Sequence, residues 1–415
     1  MNYPSVKLGS IANFINGGAW TQDEYVECGI PVVRVSDISN GRIDLSKCKY
    51  LSEDSLEKYH KHVLNKNDLI IATVGSHKAQ QSSVVGKHAI VSANEEGTLL
   101  NQNAVKIVPI DENILDKMFL RFVGSSPFFK DYIAEHARGS ANQARIAISE
   151  LKNMEVPLPS IVIQRYIGEI LSSLEEKIEL NQHMNQILED MAMTLYKHWF
   201  VDFGPFQDGE FEESELGAIP KGWSVVNLED VALINMGQSP KSEFYNSNKE
   251  GLPFHQGVTN FKYRYPSHKT YSSKILKVAE EGDILLSVRA PVGRLNIADT
   301  KLVIGRGIAA LRHKKDEMSF LYYCLRNLFR VEDQHGSGTV FNSINKSEIA
   351  KMKVISPPVE HLELFVNIVK EYDELIKSNT FETRDLTETR DYLLPRLISG
   401  EIELKEAESK IKEGL

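Results

Sequence analysis

A chain of 415 residues, 42% hydrophobic and 25% charged, has the length and composition of an ordinary globular protein of two to four domains. No uncharged apolar run reaches membrane-spanning length and no signal-peptide core opens the chain. The three cysteines, Cys28, Cys48 and Cys324, are too sparse for a disulfide or zinc framework, so a protein of the reducing cytoplasm is expected. The net charge of −9 argues against a phosphate-bearing partner only until it is divided: −1 over 1–160, −3 over 161–200, −5 over 201–222, +6 over 223–358 and −6 over 359–415. Phosphate binding follows local charge, so DNA remains an allowed partner.

In chain order, apolar runs bounded by Gly, Pro and Asn predict strands near 31–35, 68–74 and 104–108, and helical spacing predicts short helices over 116–123 and 126–137. Pro157-Leu158-Pro159 closes this first unit. A long helix follows, with Ile163, Ile167, Ile170, Leu174, Asn181, Met184, Leu188, Met191 and Leu195 at steps of three and four. Ile178 stands beside the interruption at Lys177. At 1.5 Å per residue the seam is roughly 55 Å long. It ends in Trp199-Phe200-Val201-Asp202-Phe203-Gly204-Pro205, and an acidic linker leads to Ile219-Pro220-Lys221-Gly222-Trp223. A second unit follows, with strands near 283–288 and 308–312 and helices over 319–329 and around 346–351. After Pro357-Pro358 a second helical seam uses Leu362, Phe365, Val369, Tyr372, Ile376, Asn379, Leu386 and Leu393, and a charged tail closes the chain.

The two units repeat one another. Val6-Lys7-Leu8-Gly9-Ser10-Ile11-Ala12 returns as Val226-Asn227-Leu228-Glu229-Asp230-Val231-Ala232, Asn67-Asp68-Leu69-Ile70-Ile71-Ala72 as Gly282-Asp283-Ile284-Leu285-Leu286-Ser287, and Val85-Gly86-Lys87 as Val292-Gly293-Arg294. Framework positions match while the connections between them differ, as in a shared scaffold with different loops. The helices repeat too. Glu175-Glu176-Lys177-Ile178-Glu179-Leu180-Asn181 matches Asp373-Glu374-Leu375-Ile376-Lys377-Ser378-Asn379, with Asn181 and Asn379 expected to fix the register of a coiled coil. The expected fold class is α/β (mixed α+β): two globular domains separated by a pair of long antiparallel coiled-coil helices, with an internal pseudo-two-fold repeat. The expected boundaries are 1–160, helix 161–203, linker 204–222, 223–358, helix 359–398 and tail 399–415.

No phosphate-loop motif, no Gly-x-Gly-x-x-Gly after a strand and no nucleophile elbow occurs. Asn/Asp-Pro-Pro-Tyr/Phe of amino-methyltransferases is also missing, and His60 and His62 lack further ligands at metal spacing. No catalytic residue and no metal site is expected, and a binding and scaffolding protein is the leading class.

In order and twice over, these features resemble the specificity subunit of a type I restriction–modification system, across essentially the whole chain. The closest local likenesses are Trp199-Phe200-Val201-Asp202-Phe203 and Leu393-Leu394-Pro395-Arg396-Leu397-Ile398-Ser399-Gly400-Glu401-Ile402. Gly139-Ser140 and Gly336-Ser337 before the Pro-rich ends also match. Gln164 and Glu363 stand where the family often has an acidic-Gln pair, so that match is partial. The resemblance implies two target-recognition domains, each reading one half of a bipartite site in double-stranded DNA, and helices that set the unread spacer. It also implies two docked adenine-N6 methyltransferase (M) subunits and a restriction and motor (R) subunit. S-adenosylmethionine, ATP and magnesium would sit on those partners and no cofactor on this chain.

Base reading needs Arg or Lys for guanine and Asn or Gln for adenine, on loops. The candidates in the first unit are Trp20, Arg34, His77, Lys78, Gln80, Gln81, Asn101, Gln102, Asn103, Asn142, Gln143 and Arg145. Those in the second are Ser239, Lys241, Tyr245, Gln256, Asn260, Arg289, Arg294, Arg306, Thr339 and Asn342. Arg34 and Gln256, and Gln102 and Arg306, occupy corresponding positions with different chemistry. A type II recognition subunit of the same fold and a repeat adaptor for other proteins are the alternative readings.

Overall fold

The computed structural model describes residues 3–39, 41–75, 85–140, 143–334 and 343–404. The chain forms two compact units, one of residues 1–179 with 384–415 and one of 180–383. The division falls within the two long helices, Ile161–Phe200 and Val359–Ser399, so each unit holds part of both.

In the first unit the strands Ala12–Asn16, Ala104–Pro109, Leu69–Ala72 and His88–Ile90 form one antiparallel sheet in that spatial order. Leu69–Ala72 is an unbroken apolar run because both of its faces are covered. Leu69 and Ile71 enter the core that also takes the helices Lys117–Ser125 and Pro127–His136, while Ile70 and Ala72 enter a second core with Val33, Leu64 and Leu100. A second sheet runs Leu99–Leu100, Ile30–Val33, Lys49–Leu51, Tyr25–Val26, its first pair parallel. The expected strand at 31–35 stops at Val33, because Val35–Asp37 turns into a 3-10 helix in which Asp37 accepts the Arg34 amide at 2.9 Å.

The second unit repeats the plan. Ala232–Met236, Ile308–His313, Ile284–Ser287 and Leu295–Ile297 form the antiparallel sheet, with Ile284 and Leu286 facing one core and Leu285 the other. Leu302–Ile304, Leu252–His255, Tyr271–Ser272 and Tyr245–Asn246 form the second sheet, again with its first pair parallel, and Val278–Ala279 adds an edge strand. The mixed α/β fold class and the internal repeat read from the sequence are therefore present. The repeat extends to single hydrogen bonds: the Leu8 amide donates to the Met154 carbonyl and the Leu228 amide to the Met352 carbonyl, each at 2.8 Å.

The segment expected as a linker is partly ordered, with Phe211–Ser214 pairing with Gly217–Pro220 as a hairpin. Ahead of it the first long helix ends among rings. Phe200, Phe203 and Phe206 lie 5.8, 5.5 and 4.9 Å from Trp223, and Phe200 meets Phe365 edge-on at 5.0 Å. In the first unit the second long helix closes in a Schellman turn. Gly400 takes a φ of 72°, its amide donates to the Leu397 carbonyl and the Glu401 amide to the Arg396 carbonyl.

The long helices pair antiparallel inside each unit. In the first unit Ile167, Leu171, Leu174 and Ile178 share a core with Leu386, Leu393 and Leu397. In the second, Ala192, Met193, Tyr196 and Phe200 pack with Leu362, Phe365 and Val369. The second seam matches its sequence pattern, with Tyr372 half-buried and the rest buried. The first does not: Met184 and Leu188 are half-buried and Met191 is exposed, while Asn185 and Glu189 take the buried face. Those polar residues stay buried because partners wait for them. The Asn181 amide donates to Glu382 at 2.6 Å, Asn185 to Thr380 at 3.1 Å, and Asn379 to Asn185 at 3.1 Å.

Gln164, fully buried in the first turn of its helix, donates to the carbonyls of Ile114 and Pro159, each at 2.9 Å. Its own carbonyl accepts the Asp116 amide at 2.8 Å. Asp116 in turn caps helix Lys117–Ser125 by accepting the Phe119 amide. Glu363, its sequence counterpart, is exposed. Gln164→Leu keeps the volume but takes the partner from three backbone groups, one buried and two half-buried, and is expected to cost about 2–4 kcal/mol in denaturant unfolding; a loss within error would remove this clamp from the account of the first unit.

Candidate nucleic-acid interface

In the second unit three candidate residues converge. Gln256, Arg289 and Arg306 line one cavity of about 120 Å³ with Gly257, Val258, Ala290 and Gly307. Gln256 follows strand Leu252–His255, Arg289 follows Ile284–Ser287, and Arg306 sits between Leu302–Ile304 and Ile308–His313. All three side chains are exposed, and among the described residues none has a hydrogen-bond or ion-pair partner.

The backbone that carries them is fixed. The Gly305 amide donates to the His255 carbonyl at 2.8 Å, the Arg306 amide to Ser239 Oγ at 3.1 Å, the Gly307 amide to the Gln256 carbonyl at 3.1 Å and the Ile308 amide to the Gly305 carbonyl at 3.0 Å. Glycine is required here by space: a Cβ on Gly307 would collide with the Gln256 carbonyl, and one on Gly237 with the Gly305 carbonyl.

The first unit has the same frame. The Gly18 amide donates to the Leu100 carbonyl as Gln238 does to Ile304, Asn101 to Val33 as Gly305 does to His255, and Ala104 to Asn101 as Ile308 does to Gly305. These bonds place Gln102 opposite Arg306 in the repeat and Arg34 opposite Gln256. Gln102 is exposed, and Asn101 and Asn103 are half-buried beside it, the Asn103 carbonyl taking the Thr73 amide and hydroxyl at 2.9 and 3.0 Å.

Three of the residues expected at DNA are engaged within the fold. Arg34 lays both arms of its guanidinium on Asp37, at 2.9 and 2.8 Å, and reaches the Lys47 carbonyl at 2.8 Å. Trp20 donates its indole N–H to the Tyr25 hydroxyl at 2.9 Å and meets Tyr59 edge-on. Tyr245 donates to the Pro240 carbonyl at 2.8 Å and stacks on Phe254 at 4.6 Å. Each had the right donor, and each donor had a nearer acceptor within the fold. Asn260 is half-buried with its carbonyl bonded to the Ser267 amide, whereas Lys241, Arg294 and Arg145 are exposed. His77, Lys78, Gln80, Gln81, Asn142, Thr339 and Asn342 lie outside the described residues, as does the side chain of Gln143.

One basic residue escaped the sequence reading. Arg138 stands directly across the antiparallel pair Arg138–Ser140/Gln143–Arg145 from Arg145, and both are exposed. Like charges facing each other are destabilising, so a polyanion would relieve the pair. The signal was two arginines flanking Gly139-Ser140, which only a hairpin brings together. Among the described residues no three His, Cys, Asp or Glu side chains are grouped to hold a metal ion, and no helix is long and apolar enough to cross a membrane.

Beneath Gln256 lies a buried chain of titratable groups. His255 Nε2 is 3.0 Å from His268 Nδ1, and His268 Nε2 is 2.9 Å from Asp299 Oδ1. Burial, with His268 beside it, depresses the His255 imidazole to about 4 against the pull of Asp299. A histidine in the unfolded chain titrates near ~6.5. As pH falls from about 6.5 towards 4 the unfolded state therefore takes up a proton that the folded state refuses, and stability falls. The unfolding midpoint is expected to drop between pH 7 and pH 5, and to drop less in His255→Gln; an equal drop in both would show that His255 does not report on this region.

The chain belongs to the family of type I restriction modification DNA specificity domains, whose model matches residues 2–190 and again 220–388. Specificity subunits of type I systems are non-catalytic. Among its relatives the MjaX type I restriction enzyme specificity subunit of Methanocaldococcus jannaschii is 31% identical over 403 residues, which is 96% of this chain and 93% of the relative. The HindI specificity subunit of Haemophilus influenzae is 25% identical, covering 89% of this chain and 94% of its own. A crystal structure of the type I restriction–modification S subunit from M. genitalium has the same fold, with a TM-score of 0.64 at 17% identity over 96% of each chain.

Proposed function

We propose that each unit reads one half of a bipartite site in double-stranded DNA and that the loops around Gln102 in the first unit and around Gln256, Arg289 and Arg306 in the second are the reading surfaces. The observation that carries this reading is the set of three corresponding backbone hydrogen bonds in the two units with unlike side chains at equivalent places, Gln102 against Arg306. A common frame with exchangeable heads is what two different half-sites demand. In this reading the long helices fix the number of unread base pairs, with Asn181 and Asn379 holding their register. Lengthening both helices by one turn is expected to lengthen the spacer and leave both half-sites unchanged.

The same helices offer a docking face for methyltransferase subunits. Leu180, Ile187 and Met191 on the first, and Leu364, Ile368 and Leu375 on the second, are exposed at heptad-like spacing within the second unit. Apolar residues held in water in a row mark an interface. S-adenosylmethionine would bind to the methyltransferase, and ATP and magnesium to a restriction and motor subunit, the complex acting in the cytoplasm. Replacing Ile187 and Met191 together by Asp is expected to abolish co-purification of the methyltransferase while the helical circular dichroism and unfolding midpoint stay unchanged; retained assembly would move the docking face elsewhere.

The reading as a whole is tested by single-molecule methylome sequencing of cells carrying this gene with its cognate methyltransferase gene, against the methyltransferase gene alone. A new two-part N6-methyladenine motif with a fixed gap is the expected result. Absence of any motif although both proteins associate would remove the DNA-reading role.

A further inference from the structure

We infer that the half-site read by the second unit contains a guanine, and that Arg306 is the residue that specifies it. The inference rests on the DNA-reading function above and goes on to name the base and the reader.

Guanine presents two acceptors on its major-groove edge, and recognition of both requires a free two-armed donor held in place. Three of the arginines in this unit are excluded, which leaves Arg289, Arg294 and Arg306 among the described side chains. Arg264 is buried against Glu189 and Asp373, Arg312 is bonded to Asp283 at 2.6 Å, and Arg326 is paired with Glu189. Arg306 keeps its guanidinium unpartnered while its backbone is pinned by its own amide bond to Ser239 and stands between two glycines that admit no side chain. Little ordering remains to be imposed when it binds.

A phosphate is the competing occupant, because arginine side chains hold phosphates as well as bases, and the two are told apart by whether binding depends on sequence. Free amide N–H groups can add a phosphate cradle. Here the four consecutive amides of residues 305 to 308 already donate to His255, Ser239, Gln256 and Gly305. On the lining two guanidinium forks and the Gln256 side-chain amide are open, around a cavity of about 120 Å³ completed by Gly257, Val258, Ala290 and Gly307. The repeat supplies an internal control, because the equivalent place in the first unit carries Gln102, a residue suited to adenine.

The test uses the full chain assembled with its methyltransferase and a randomised duplex library, reading base frequencies at every position of the bound fraction. The wild-type complex is expected to select a two-part site with guanine at a fixed position of one half. Arg306→Ala should flatten that one position by roughly five- to hundredfold and leave the other half-site as it was. Arg306→Gln, which copies the first unit, should move the same position towards adenine. A uniform weakening of all sequences, accompanied by a salt slope shallower by about one, would make Arg306 a phosphate contact and overturn the inference. Loss of selectivity at a position that is not guanine would overturn it as well. Failure of the wild-type complex to select any bipartite site would instead overturn the DNA-reading function beneath it.

Discussion

The second unit depends on a buried knot of charge at Glu189 and Asp373. Glu189 stands on the first long helix and Asp373 on the second, and Glu189 is almost wholly buried. Arg264 donates to Asp373 at 2.7 Å and to Glu189 at 3.3 Å, and Arg326 pairs with Glu189. Tyr263 and Tyr322 donate to Glu189 at 2.5 and 3.1 Å, and Tyr323 and Ser319 to Asp373 at 2.9 and 2.6 Å. Two carboxylates and two guanidiniums balance, and burial pushes the phenols of Tyr263 and Tyr323 upward so that they remain donors. An apolar seam of the same area would bind as well in several registers. A carboxylate taken out of water tolerates only the register that returns its partners, because a single missing partner leaves an uncompensated buried charge. The arginines and tyrosines come from the recognition domain, so one set of bonds fixes the helices to each other and the domain to both.

That arrangement explains how the interface can change its chemistry without changing its shape. Position is set behind the surface, by the knot, by two-faced strands such as Ile284–Ser287, and by backbone bonds from Gly305 and Gly307. Side chains at Gln102 and Arg306 bear none of that load. Exchanging one head group alters a donor pattern while the frame stays as it is, so in the proposed reading specificity is separated from stability.

The sequence disclosed what local physics decides. Apolar runs such as Leu69–Ala72 and the second helical seam follow from periodicity, and each stands where the pattern put it. It misled where burial is bought by partners distant in the chain. Met184, Leu188 and Met191 read as a seam that leaves out Asn185 and Glu189, because no local pattern announces Arg264 or Thr380. Arg34, Trp20 and Tyr245 likewise have partners that no local pattern announces. Donor type says what a side chain can bind, and only the fold says that Asp37, Tyr25 and the Pro240 carbonyl are nearer than any ligand.

The charge of the chain resolves in the same terms. A net −9 counts every carboxylate equally, yet in the second unit Glu189, Asp373 and Asp283 are neutralised by arginines of the same unit, and Asp299 lies against His268. Burial raises the Asp283 carboxyl further, against the pull of Arg312. Such paired carboxylates contribute little field at the surface, whereas Arg289, Arg294 and Arg306 stand free on the loops. Those loops therefore carry unpaired guanidiniums, and the acidic total describes the paired scaffold more than the loops proposed to read DNA.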